Sequence, residues 1–372
     1  MKPSYSNQLK YSAGFLIIIG LLACVNTTYS RADEKAITGE LVHIIMGSFM
    51  HHGEAFYDQE VIRNNSILEK NPKSFDAIND LAVAYFKRSS FMSKVEKLAQ
   101  PFNYHDSIKL FETNEKYHPN RYKTASNMGV MYKKFGDFEN AEKYIKKALK
   151  IKPQGHMGLG DYYLKMIQYL KSNDGSSNFL GIKYEDGYQK TAEAANKEYV
   201  ISLIKNDHQF ADAYIVLGDI LLYEKKYQLA LRSYLRYQDL IKNSNGKSDR
   251  NFFYMRSESL FELWSINLAS GHIFDRYYKN QFHHDLMKVK DWLLTFHNFE
   301  TTQLQNGNSV SFSHLTKNNM FPERPIYLDI AYFKGTYDWK PIEYVSLIFV
   351  ILLLVLPAKI YWNLRKGISW NK

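Results

Sequence analysis

Residues 122–155, YKTASNMGVMYKKFGDFENAEKYIKKALKIKPQG, place small and bulky apolar side chains at the spacing of two antiparallel helices joined by a glycine turn. Gly129 and Ala141 are small where two helices must approach closely, and Tyr132 supplies bulk beside them. Gly136 permits the turn between the helices, and Pro153 stands just beyond the second, which it prevents from extending. One such hairpin cannot bury its own apolar face, so the segment requires neighbours of the same kind. Degenerate copies flank it. Upstream, Leu81, Ala82 and Tyr85 repeat the first helix, and Ser107, Phe111 and Pro119 repeat the second, with extra residues near 90–102 between them. Downstream, Leu217, Gly218, Tyr227, Ala230 and Tyr234 give another hairpin.

The order Met128-Gly129, Tyr132, Gly136, Ala141, Ala148, Pro153 resembles the tetratricopeptide repeat (TPR) over its full length. The expected fold class is therefore all-α, a TPR-type helix-hairpin solenoid, with a single C-terminal transmembrane helix added. The expected organisation is a signal peptide at 1–32, a helical segment with a leading half-repeat at 33–74, and a first repeat with an insertion at 75–121. Then follow the repeat at 122–155, a degenerate hairpin at 156–210 and a last repeat at 211–245. A mixed helical and irregular region occupies 246–340, with helices expected over 252–268 and 283–302, a loop over 306–319, and Trp264 and Trp292 in the core. The transmembrane helix is assigned to 344–362 and a cytoplasmic tail to 363–372. From Gly47 through Gly158 the chain is also similar to a group of bacterial membrane-anchored or exported TPR proteins, a likeness that implies no activity.

Both ends of the sequence point to the cell envelope. Lys2 and Lys10 precede an apolar run at 13–25, and Ser30-Arg31-Ala32 offers small residues at a cleavage site before Asp33. Leu21-Leu22-Ala23-Cys24 offers a second reading, lipidation at Cys24, and an uncleaved anchor a third. Residues 344–362 are mostly Val, Ile, Leu and Phe, and nineteen helical residues span roughly 28 Å, near the hydrocarbon thickness of a bilayer. Arg365, Lys366 and Lys372 beyond them place that end inside, leaving the repeats on the exported, periplasmic side of a bacterial inner membrane.

The formal charge is +10; removing Lys2, Lys10 and Arg31 leaves 45 basic against 38 acidic residues, or +7. This balance suits acidic partners, but no basic run interleaved with aromatics marks a nucleic-acid surface, and none is expected to bind there. Cys24 is the only cysteine, so neither a disulfide nor a cysteine nucleophile is available beyond it. The common hydrolase, metalloprotease and phosphate-loop motifs are absent from the sequence. His51-His52-Gly53-Glu54 and His283-His284-Asp285 cluster ligand types, but adjacent helical residues point about 100° apart and do not converge on one ion. No metal, cofactor or catalytic residue is expected.

The TPR resemblance implies a groove lined by the first helices of the hairpins, and helical spacing nominates its residues. They are Asn79, Phe86 and Lys87 from the first repeat, Lys123, Asn127, Lys133 and Lys134 from the second, and Asp219 and Tyr223 from the last. Asn127 stands where carboxylate-clamping TPR modules carry an asparagine, but Val83 replaces their partner asparagine in the first repeat. The expected function is a membrane-tethered scaffold whose solenoid binds a protein or peptide. The alternative is an envelope metal-dependent hydrolase using the repeats as a substrate arm and the histidines of 272–314 as its site.

Overall fold

The computed structural model describes residues 36–91, 104–172, 175–243, 256, 271–317 and 321–328. The chain divides into two compact units, 37–327 and a second made of 1–36 with 328–372. Of the second, only Ala36 and Leu328 are described.

Unit 37–327 is a series of helices. They are α1 (Glu40–Met46), α2 (Glu54–Lys70), α3 (Phe75–Ser89), α4 (Tyr104–Tyr117), α5 (Tyr122–Lys134) and α6 (Phe138–Ile151). The series continues with α7 (Gly160–Ser172), α8 (Gly187–Ala194), α9 (Lys197–Asn206), α10 (Ala211–Tyr223), α11 (Tyr227–Asn243), α12 (Gly271–Gln305) and α13 (Phe312–Lys317). Two-residue strands, β1 (Ala36–Ile37) and β2 (Tyr327–Leu328), pair with each other.

Sequence-adjacent helices make the main contacts: α2 with α3, α3 with α4, α5 with α6, and α10 with α11. Their starts are set by local chemistry. Asp137 caps α6 by accepting from the Asn140 N–H at 3.1 Å, and Asn196 caps α9 by accepting from Tyr199 N–H at 3.1 Å. Gly136 takes φ of +79° at the α5–α6 turn, a conformation that disfavours any residue with a Cβ. Close approach inside the hairpins explains the small residues. A Cβ on Gly129 would lie 2.5 Å from Ile145 Cδ1, and one on Gly218 would lie 2.3 Å from the Tyr234 ring. Ala82, Ala125, Ala141 and Ala230 are fully buried in the same seams. Repeated helical hairpins packed through small residues make this an all-α array, consistent with a solenoid.

The fold class expected above needs correction on its membrane helix. Among the described residues no helix is long and apolar enough to cross a membrane. The longest, α12, carries Lys288, Lys290, Asp291 and Glu300 along its 35 residues. Residues 344–362 and the signal segment 1–32 lie outside the described residues.

Elsewhere the chain departs from regular hairpins. The second helix of the degenerate hairpin is split: α8 ends at Ala194, and α9 starts anew from the Asn196 cap. The 175–186 connection is pinned by Asp212, whose buried carboxylate accepts from the Phe179 N–H at 2.6 Å and from the hydroxyls of Tyr184 and Tyr169. The region expected to be a loop at 306–319 contains the short helix α13, and Trp292 is buried as expected, its Nε1 donating to the Pro322 carbonyl at 3.1 Å. Trp264 and the helix expected at 252–268 lie outside the described residues, except Arg256.

Two elements beyond the repeats join distant parts of the series. Helix α1 buries Val42, Ile44, Ile45 and Met46, and packs on α11, α9 and α12. Helix α12 packs on α2 near the start and touches α11 at the end. A second apolar cluster, Phe296, Leu304, Val310 and Leu315 with Met50, Phe56 and Phe312 against it, seals α12 onto the segment that leads into α2.

Candidate functional site: a cavity between the first helices and an adjoining histidine cluster

The nominated groove residues separate into three groups. Lys87 and Asn127 come together: both line a cavity of about 200 Å³ bounded by α3, α5, α6, α7 and the end of α9. Val130, Tyr122, Tyr163 and Asn206 complete much of its wall. The Lys87 side chain is largely withdrawn from water, and burial lowers its pKa. Its cation lies 5.8 Å from the Phe86 ring centroid, and no carboxylate pairs with it among the described residues.

A second group is exposed or spent on local pairs. Lys123 reaches Asp76 and Asp80 at 2.9 Å each, tying α5 to α3. Lys134 is exposed at the end of α5, and Tyr223 is 51% exposed at the end of α10, both outside the cavity wall.

The third group is interior, which corrects the expectation that it faces a partner. Asn79 is fully buried, with neither amide atom hydrogen-bonded among the described residues. Phe86 packs edge-on to Phe135 at 5.8 Å. Lys133, largely withdrawn from solvent, is paired with the buried Asp207, so it braces α5 against the α9–α10 connection. Asp219 is buried and accepts from the Tyr234 hydroxyl at 2.8 Å and from Arg256 Nε at 2.9 Å. These groups hold helices together.

Sequence reasoning missed a cluster of rings next to this site. His51 stacks on His208 with centroids 5.4 Å apart and meets His297 edge-on at 5.6 Å. The three come from the segment after α1, the α9–α10 connection and α12. His51 Nδ1 is 3.0 Å from the Phe49 carbonyl, and His297 Nε2 is 3.1 Å from the His51 carbonyl. Burial is the main cause that lowers the pKa of His51 and pushes His208 down to about 3; for His208 the neighbouring His51, Arg236, Lys134 and Lys87 act the same way. His52, beside them, is clasped differently. Its ring lies between Phe56 and Phe312, with centroids 3.5 and 4.0 Å away, and its Nδ1 meets the buried Glu300 carboxylate at 2.5 Å. Glu300 also accepts from the Gly53 N–H at 2.8 Å. No group of three or more His, Cys, Asp or Glu side chains among the described residues has an arrangement that could hold a metal ion. His208 and His297 lie 157 and 246 positions from His51, and Glu300 lies 248 from His52, so no local spacing could have flagged these contacts.

No protein-family model matches the chain, and no curated protein matches it. Among solved structures, one described as a functional characterization of Pseudomonas aeruginosa PilF aligns with a TM-score of 0.30 and 16% identity, over 62% of this chain and 90% of that one. A match at that score adds nothing to the fold assignment, which stands on the hairpins themselves. The expected kinship with a group of bacterial membrane-anchored TPR proteins gains no support from these comparisons.

Proposed function

We propose that this chain is a binding scaffold that takes a segment of a partner protein against the cavity bordered by α3, α5 and α7, with an acidic group of the partner set against Lys87. The observation that supports this most is Lys87 itself. A lysine carried into low-polarity surroundings without a counter-charge costs stability, and such groups concentrate at functional sites. Half-buried Asn127 adds an amide that can both donate and accept beside it. An array of hairpins supplies the extended surface on which such recognition is built.

The test uses a change that keeps the stem and removes the charge. Lys87→Met is expected to leave the urea unfolding midpoint unchanged or raise it, because Met fills the space without a desolvated cation. Binding of the partner, once recovered by crosslinking to the full-length protein, is expected to weaken about tenfold or more, the scale of a lost charge-assisted hydrogen bond. Lys133→Glu is unsuited to this purpose, since it would oppose Asp207 in a buried pair. Unchanged partner affinity in Lys87→Met would remove the cavity from the binding site.

A further inference from the structure

A second cavity, of about 500 Å³, lies between the segment after α1, the end of α9 and the chain around α13. Phe49, Met50, His51, Phe312 and Phe321 line it, together with the charged Glu40, Lys205 and Arg324. The walls are held in place before any ligand arrives. Phe312 stacks on His52, Phe49 packs against His51 and His208, and the chain next to Phe321 is fixed by the bond from Trp292 to the Pro322 carbonyl. Such preorganised apolar cavities of roughly 300–1,000 Å³ with a few polar groups are the usual form of small-molecule sites.

The charges at the rim are unequal. Arg324 is neutralised by Glu40 at 2.8 Å, whereas Lys205 is exposed and has no acidic partner among the described residues. One uncompensated cation over an aromatic and thioether lining fits a ligand with one negative charge and an apolar body. We propose that this cavity binds a small amphipathic monocarboxylate, its hydrocarbon between Phe49, Met50, Phe312 and Phe321 and its carboxylate at Lys205. This proposal does not depend on the partner surface proposed above.

Octanoate and its neutral counterpart 1-octanol, titrated calorimetrically into the full-length protein, test it. One octanoate per chain is expected, with 1-octanol at least tenfold weaker. Lys205→Glu, an exposed change, is expected to weaken octanoate tenfold or more while leaving 1-octanol unaltered. Met50→Trp, which fills the cavity, is expected to abolish both, with circular dichroism checking that the helices persist. No saturable octanoate binding, equal affinity for the two probes, or octanoate binding indifferent to Lys205→Glu would each overturn the proposal.

Discussion

Replacing Arg232 with Met is expected to lower the stability of the protein by about 3 kcal/mol, at the lower end of the cost of breaking a buried ion pair. Arg232 on α11 and Asp285 on α12 are both without solvent exposure, and their contact is 2.7 Å. Asp285 also takes weaker contacts from Gln281 at 3.3 Å and Lys288 at 3.4 Å, which is why the lower end of the range applies. Arg232 in turn lies 5.6 Å from the Tyr327 ring centroid and 3.7 Å from Met46 Sδ, so one guanidinium joins α11, α12, α1 and β2. The cost arises from leaving the carboxylate buried and uncompensated, rather than from the loss of attraction alone. The double variant Arg232→Met with Asp285→Leu is therefore expected to recover most of the lost stability. Urea unfolding midpoints of the two single variants and the double variant check this; additive losses would show that the pair is not the unit that matters.

Mild acid is expected to destabilise the fold through His208. The unfolded chain binds a proton on this residue near pH 6.5, whereas the folded chain refuses it until about pH 3. The folded pKa is depressed, so the stabilisation is complete above pH 6.5 and is lost as pH falls from there towards 3. Between pH 6.5 and 5 the difference in proton uptake corresponds to about 2 kcal/mol. The charged and titratable groups that act most on the pair of stacked rings are Lys87 from α3, Lys134 from α5, Arg236 from α11, and His297 and Glu300 from α12. Of these only Glu300 is acidic, and it is engaged by His52 and Gly53. His208→Phe keeps a ring against His51 and Phe49 without the titration. Its stability is expected to fall by about 2 kcal/mol less than that of the unsubstituted protein between pH 7.5 and 5, read from urea midpoints. Parallel pH curves for the two proteins would count against the cluster as the source. Carboxylates that also titrate, such as Glu142, held down to about 2 by its bonds from Lys146 and Gln168, are common to both proteins and cancel.

The hairpins were legible in the sequence because close packing leaves a local trace. Gly129 must be glycine for Ile145 and Gly218 for Tyr234, and each sits at the same place in its helix relative to Tyr132 or to the turn. Helical spacing was a poor guide to the site for a physical reason. On α10 every residue from Asp212 to Leu222 is buried, so the offset that nominated Asp219 selects between two interior faces. Asn79 and Phe86 failed the same way, because α3 is packed by α2, α4 and α5 at once. Lys87 and Asn127 survive as cavity residues because they sit where α3 and α5 face the gap towards α7 and the end of α9. The split at Ala195, the Asp212 anchor and the clasp of His52 by Glu300 depend on contacts between residues far apart in the chain. Such contacts leave no periodicity in the sequence to read.

On the proposed function, a partner protein meets the surface formed by α3, α5 and α7. A photocrosslinking residue placed at Val130, which lines the cavity, and separately at Ile62, 67% exposed on α2, measures it directly. A discrete adduct is expected from position 130 that disappears with Lys87→Met, and none is expected from position 62. Adducts from position 62 alone, or from both positions regardless of Lys87, would contradict it.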